Sequence, residues 1–429
     1  MAVLSNTTVI STEIEKVDKK LPTFFEREGP FYAKIAKKKG IPVSNKSMRI
    51  PAEIRPHGSF GQYDPDGGSL GRGGGPLWKD MTIAVKHFRK VIEWTHLADI
   101  GTDSSEKAVV QVVQKALATA FDDYRKGLDN SAMTDGRGIL GTITSVDTTG
   151  SVDTYTMNTD GFGAKLMVPG QKVGVVLFST PNYTCRVGGT SAKIYNEIAS
   201  IDYPNKLVKM GENITTATAG DWLVQENAIA GSGTTAPSSV YGVPYHHSDA
   251  STGTWLGMDR ALYPEIRCNR VTASGALSLT HARLAINKIF DRVGQSATPK
   301  LEAWMHMCQR HAYENMAQDI MRIDKTASEE GVNLYFGNNL QLAGCPVNIH
   351  PSWDKTRIDF VDLNNWGRVE MEPVKFFEQE GRRLFEVHDT TDGGLTTYTQ
   401  SIVIGSMNFF TYNPATCAYI SGLTVMSGY

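Results

Sequence analysis

The chain has 429 residues, 41% hydrophobic and 21% charged, which is enough to bury one large core or two to three domains. Lys and Arg total 43 against 45 Asp and Glu, so the net charge of −2 argues against a polyanion binder acting through the whole chain. No apolar run reaches the length of a membrane span, and Met1–Thr8 lacks the charged and apolar regions of a signal peptide, so cytoplasmic synthesis is expected.

The first 45 residues read as an arm. They begin polar, with a short helix predicted over Thr12–Lys20, then Leu21-Pro22 and the apolar pair Phe24-Phe25. A second helix, Pro30–Lys39, groups its basic residues and stops at Gly40, where a C-cap glycine is expected. The segment carries too little apolar surface to fold alone and should lie along something else. Gly29–Ala52 contains Lys34, Lys37, Lys38, Lys39, Lys46 and Arg49 with no acid. That run reads as a solvated face or an arm on an acidic neighbour, with nucleic-acid contact as the sharper alternative.

Two strand-like arms follow, Ser47–Pro56 and Leu77–Trp94, around a tip at Gly58–Gly75 in which 8 of 18 residues are glycine. Such a tip cannot build a core, because glycine has no side chain to pack and loses the most backbone entropy on ordering. It is tolerable if it stays mobile or if another chain orders it. The longest helix is expected over Ser104–Leu128, with Asp103 as N-cap and Glu106 in the capping-box position. Its apolar stripe runs Val110, Val113, Leu117, Phe121, Tyr124, Leu128, on a rod about 35–40 Å long.

From Ile143 to about Asn227 helix periodicity vanishes. Short strands are predicted at Val152–Met157, Lys172–Ser179, Tyr195–Asp202, Lys206–Met210 and Trp222–Gln225, separated by Gly, Asp and Pro turns. Their spacing suggests a small β-barrel or sandwich, flanked by the linker-like Ala228–Ser239. A mixed region follows, with helices at Ser278–Val293 and Gln309–Ile323 and a buried strand at Leu301–Met305. Strands dominate thereafter: Ile358–Leu363, Val369–Phe376, Leu384–His388, Tyr398–Gly405 and Ala418–Val425.

Little in the chain reads as chemistry. The Gly-rich tip fails as a P-loop, since Gly75 is followed by Pro76-Leu77-Trp78 rather than Lys-Ser/Thr. It fails as a dinucleotide fingerprint because strand pattern, not a helix, comes next. Cys308 and His311 lie at i and i+3, with His306 nearby, but one helix face supplies too few metal ligands, and ordinary packing or exposure is the simpler reading. His246-His247 with Asp249 sits in a Ser/Thr/Gly-rich loop and reads as a solvated turn. The scattered Cys185, Cys268, Cys308, Cys345 and Cys417 show no C-x-x-C spacing and read as reduced thiols. No catalytic residue, cofactor or metal site is expected, and the chain does not read as an enzyme.

The order of segments carries a stronger signal: polar arm, Gly-tipped two-strand excursion, long helix, β-module, mixed region, terminal strands. With Gly170-Gln171-Lys172-Val173, Ala219-Gly220-Asp221-Trp222, Gly257-Met258-Asp259-Arg260 and Asn413-Pro414-Ala415, it resembles the major capsid proteins of tailed bacteriophages, the Hong Kong 97-type shell fold. The resemblance implies an α+β fold with an N-arm at 1–44, an extended β-hairpin loop at 45–90 and a peripheral domain with its spine helix at 91–142. An inserted small β-barrel-like domain would occupy 143–233 and an axial domain 234–355. Peripheral-domain strands would run over 356–407 and an axial return over 408–429.

It further implies a structural subunit that self-assembles as hexamers and pentamers into an icosahedral head enclosing double-stranded DNA held non-specifically. The virion would be its location, with no membrane. Because the arm starts at once, a separate scaffolding protein, or none, is implied, with portal and decoration proteins as further partners. Some relatives crosslink a loop lysine to an asparagine; Lys79 with Asn364 or Asn365 would be the counterparts, though no acid is seen that would deprotonate Lys79. Inter-subunit contacts are expected from Arg55, Tyr63, Arg72 and Trp78 on the loop and from Phe24 and Phe25 on the arm. The rival readings are an encapsulin-like nanocompartment shell and a soluble hydrolase carrying a carbohydrate-binding β-module.

Overall fold

The computed structural model describes residues 29–37, 41–44, 47–58, 60–62, 65–68, 73–96, 112–148, 150, 152–158, 164–179, 182–186, 194–214, 216–228, 238–297, 300–321, 340–388 and 394–429. It is a mixed α+β, strand-rich structure with few helices. The chain divides into two compact units. The described residues of the larger lie within Gly29–His87, Gly127–Glu372 and Ser406–Tyr429, and those of the smaller within Phe88–Lys126 and Pro373–Gly405.

The larger unit contains a six-stranded mixed sheet in the order Asn269–Gly275, Ala418–Leu423, Ile358–Asp362, Leu301–Met305, Cys345–Ile349, Gln341–Leu342. Ile358–Asp362 is buried along its whole length, the run expected of a strand covered on both faces. The helix Leu279–Val293 supplies one cover. Ser278 caps it by accepting from the His281 N–H, Gly294 ends it at φ 81°, and Ala282, Ala285, Ile286 and Ile289 form its buried stripe. These side chains share one core cluster with Ala303, Phe360 and Ile420 from the sheet.

A second sheet closes on itself. Its strands run Ile139–Asp147, Thr154–Met157, Leu207–Met210, Tyr195–Asp202 and Lys172–Ser179, and Trp222–Gln225 pairs with both the first and the last of these. Closure removes the exposed edges that an open sheet of short strands would present. Tyr155, Met157, Val173, Ile198, Val208 and Leu223 fill the interior. Asn182–Arg186 adds to the outer end of Lys172–Ser179.

In the smaller unit the strand Leu395–Thr411, which continues beyond it, pairs with Lys86–Thr95, Phe385–His388 and Trp366–Phe376. Phe121 of the long helix meets Phe376 edge-on at 4.9 Å. The helix runs Val112–Ser131, past the predicted end at Leu128; its predicted start at Asp103 and Ser104 lies outside the described residues.

Two sequence expectations are corrected. Leu77–Trp94 is two strands, Leu77–Ala84 and Lys86–Thr95, that pair in different sheets. The break falls at buried Val85, where the Asn408 amide donates to the Ala84 carbonyl at 2.6 Å. The helix predicted over Pro30–Lys39 is one turn, Pro30–Lys34; Ile35 turns to extended backbone and is buried instead of continuing the helix.

Candidate inter-subunit surface

The hairpin Ser47–Arg55 and Leu77–Ala84 pairs antiparallel, with Ser47 opposite Ala84, Ile50 opposite Met81 and Glu53 opposite Trp78. The period of two sends Met81 and Ile83 to one face, where they pack with Trp255, Leu256, Met258 and Ile266. Thr82 also donates its N–H to the Leu256 carbonyl at 2.8 Å. Toward the tip this burial ends: Lys79 and Asp80 are exposed, and Trp78 is 56% exposed. The root of the hairpin therefore belongs to the chain's own core, while its outer half presents an indole to solvent.

Beyond the strands the excursion narrows to a neck. The Gly58 N–H donates to the Gly74 carbonyl at 3.0 Å, and a side chain at Gly58 would sit 3.2 Å from the Gly74 nitrogen. Backbone approach this close favours glycine at the crossing. Phe60, just past it, is fully exposed.

Of the predicted contact residues, Arg55 and Trp78 come together at the outer end of the hairpin, Arg55 opposite Leu77 and Trp78 opposite Glu53. Phe24, Phe25, Tyr63 and Arg72 lie outside the described residues. Arg55 is already engaged: its Nε donates to Glu265 Oε1 at 2.6 Å and its Nη2 reaches the Leu262 carbonyl at 3.4 Å. That hydrogen bond holds the Glu265 carboxyl below its ordinary range. Below the hairpin lies a cleft of about 290 Å³, with Ile54, Met81, Ile266 and Val293 on its walls and Glu53 and Glu265 beside them.

The start of the described chain is held by side chains distant in the sequence. Phe31 lies edge-on to Trp304, Trp353 and Trp366 at 5.1, 5.6 and 5.6 Å and is fully buried. The Tyr32 N–H donates to Asp129 Oδ1 at 2.8 Å, while Asp129 Oδ2 accepts from His350 Nε2 at 2.5 Å. Lys34 Nζ donates to Glu302 and Asn348, and Lys37 pairs with Glu370. Lys34 and Lys37 thus pair within this chain. A Phe-Tyr pair directly after Pro30 was the available signal, outweighed by the lysines.

His246 and His247 are fully buried, not on a solvated turn. His246 accepts from Trp255 Nε1 at Nδ1 and meets the Phe409 carbonyl with Nε2, so the neutral ring satisfies both neighbours. Burial, with His247 adjacent, lowers its pKa to about 3. His247 Nδ1 bonds Asp359 at 2.9 Å. Burial alone would lower it too, but Cys417 and Asp359 raise it to about 9. Asp359 is held below the usual carboxylate range, against its burial, by Arg357 and His247. Cys417, His247 and Asp359 are all enclosed in the core. His306 and Cys308 are buried and His311 is exposed; among the described residues no group of three metal-ligating side chains converges.

No protein-family model and no curated protein matches the chain. Among solved structures it is similar to the capsid asymmetric unit of cyanophage A-1(L), at 12% identity and TM-score 0.59, covering 98% of this chain and 100% of that one. The capsid of a native GTA particle gives 9% identity and TM-score 0.48, over 98% of this chain and 100% of that one. The capsid of Myoviridae phage XM1 gives 10% identity and TM-score 0.45, over 98% and 99% respectively. The first of these likenesses shows a shared fold over nearly the whole chain. At that level the resemblance to tailed-phage capsid subunits is borne out.

Proposed function

We propose that this chain is the major capsid protein of a tailed bacteriophage, a structural and non-enzymatic subunit that assembles as hexamers and pentamers into a head around double-stranded DNA. The observation that carries this reading is the fold it shares, end to end, with a cyanophage capsid subunit. The hairpin supports it: its root is built into the core, while its outer half exposes Trp78 and Phe60. Large apolar side chains on a protruding element suit contact with another copy.

On this reading Ser47–Ala84 belongs to the extended loop, Val112–Ser131 to the spine helix, and the closed sheet between Ile139 and Gln225 to the insertion. Trp78 is the foremost loop contact, Arg55 steadies the loop through Glu265, and Phe24, Phe25, Tyr63 and Arg72 are proposed contacts on the arm and tip. Scaffolding, portal and decoration proteins are proposed partners, and the virion is the proposed location. Negative-stain imaging of the purified protein tests the reading. Closed shells containing DNA are expected; shells filled with protein cargo would indicate a nanocompartment, and the absence of shells would leave the capsid reading without support.

A further inference from the structure

Building on the shell-subunit reading, we propose that the cleft beneath the hairpin receives the turn Gln379–Leu384 of a second copy of this chain. The cleft is apolar along Ile54, Met81, Ile266 and Val293, yet one carboxylate oxygen in it lacks a hydrogen-bond donor. Glu265 Oε1 is taken by Arg55, whereas its Oε2 is buried with no hydrogen-bond partner among the described residues. Glu53 adds a second carboxylate at the same place. Arg292 also borders the cleft and its charge helps hold the Glu265 carboxyl below its ordinary range, but its Nη1 and Nη2 groups are committed to the carbonyls of Pro264, Glu265 and Arg267. What the cleft lacks is a cationic donor with an apolar side chain next to it. Its size admits one or two side chains rather than a strand.

The turn supplies that pair. Gln379 and Arg382 exchange backbone hydrogen bonds at 3.0 and 2.9 Å, with Glu380 at φ 53° and Gly381 at φ 79°. Positive φ at both central residues is the signature of a tight two-residue hairpin turn. Such a turn is already ordered, so little conformational entropy is lost when it docks. Arg382 and Arg383 are exposed beside Leu384, itself 52% exposed. Arg383 is paired with Glu378 at 3.2 Å, which leaves Arg382 as the cation to meet Glu53 and Glu265. The sign of the charges and the apolar neighbour match on both sides.

Charge exchange tests the docking, with the unmodified protein assembled in parallel. Glu53→Arg and Arg382→Glu are each expected to cut the yield of closed particles at least tenfold, and the double variant to recover most of it. Single variants that assemble like the parent, or failed singles that the double does not rescue, would overturn the docking while leaving the shell reading intact. If the parent forms no closed particles, the shell reading fails and the docking with it. Should the charge variants misfold, a Glu53→Cys, Leu384→Cys variant gives an independent readout, since the native cysteines in this chain are all buried. Mild oxidation is expected to give a ladder of covalent oligomers that is lost when either new cysteine is absent. No ladder, or a bond within one chain only, would count against the proposal.

Discussion

Phe31 is held on three sides by indole rings, and Tyr32 beside it ties its backbone to Asp129 and through it to His350. Truncating such a side chain removes its burial and leaves a cavity that Trp304 and Trp353, stacked at 5.7 Å, cannot easily fill. Phe31→Ala is therefore expected to lower unfolding stability by about 3–5 kcal/mol, read from urea midpoints, with Phe31→Leu distinctly milder. A loss below about 1 kcal/mol would mean the segment is not fastened there. This anchor was not legible in the sequence. The partners of Phe31 lie more than 270 positions away, at Trp304, Trp353 and Trp366, while the local run reads as a basic helix. His246 and His247 were misread for the same reason: a Ser/Thr/Gly-rich neighbourhood looks solvated, and only Trp255, Asp359 and Phe409 make it core.

At the scale of elements, local pattern served well wherever burial follows a simple period. The strands Lys172–Ser179, Tyr195–Asp202, Trp222–Gln225 and Leu301–Met305 have the bounds their composition suggests, and Ser278 and Gly294 mark the helix between them. Closure of the barrel through the pairing of Trp222–Gln225 with Lys172–Ser179 was not readable, because register between distant strands leaves no local trace. The Gly-rich excursion was legible as a hairpin, and its glycines can now be sorted. A Cβ at Gly73 or Gly75 meets no atom within 4 Å, and one at Gly74 meets its first at 4.0 Å. Changing all three to alanine should thus leave the monomer's stability within about 0.5 kcal/mol of the parent. Particle yield should nevertheless fall if the tip must adapt to a neighbouring copy. Thermal melts together with particle counts separate the two, and normal assembly would remove the adaptive role of the glycines.

For the whole molecule, the buried titrating groups set opposing limits on stability with pH. His246 and His306, with pKa values lowered to about 3 and about 4, stay neutral in the fold as pH drops below 6.5, whereas the unfolded chain takes up those protons. Unfolding then binds protons, so stability falls with acid, and Asp359 adds to the loss once pH approaches its lowered folded pKa. His247 has the opposite sign. Its folded pKa of about 9 lies above the unfolded value near 6.5, so its contribution is fully present below pH 6.5 and is lost as pH rises through 9. The thiols of Cys185, Cys268 and Cys345, raised by burial, act in the same direction, but only from about pH 8.5, where unfolded thiols ionise. His247 therefore dominates between pH 7 and 8, above most of the unfolded titration of His246 and His306 and below most of that of the thiols. Urea midpoints of the parent should decline across that interval, and His247→Gln should be less stable at pH 6.5 but lose the decline. A slope unchanged in the variant would show that His247 does not carry its proton in the fold, and with it the buried charge balance with Asp359 and Arg357 would need another arrangement.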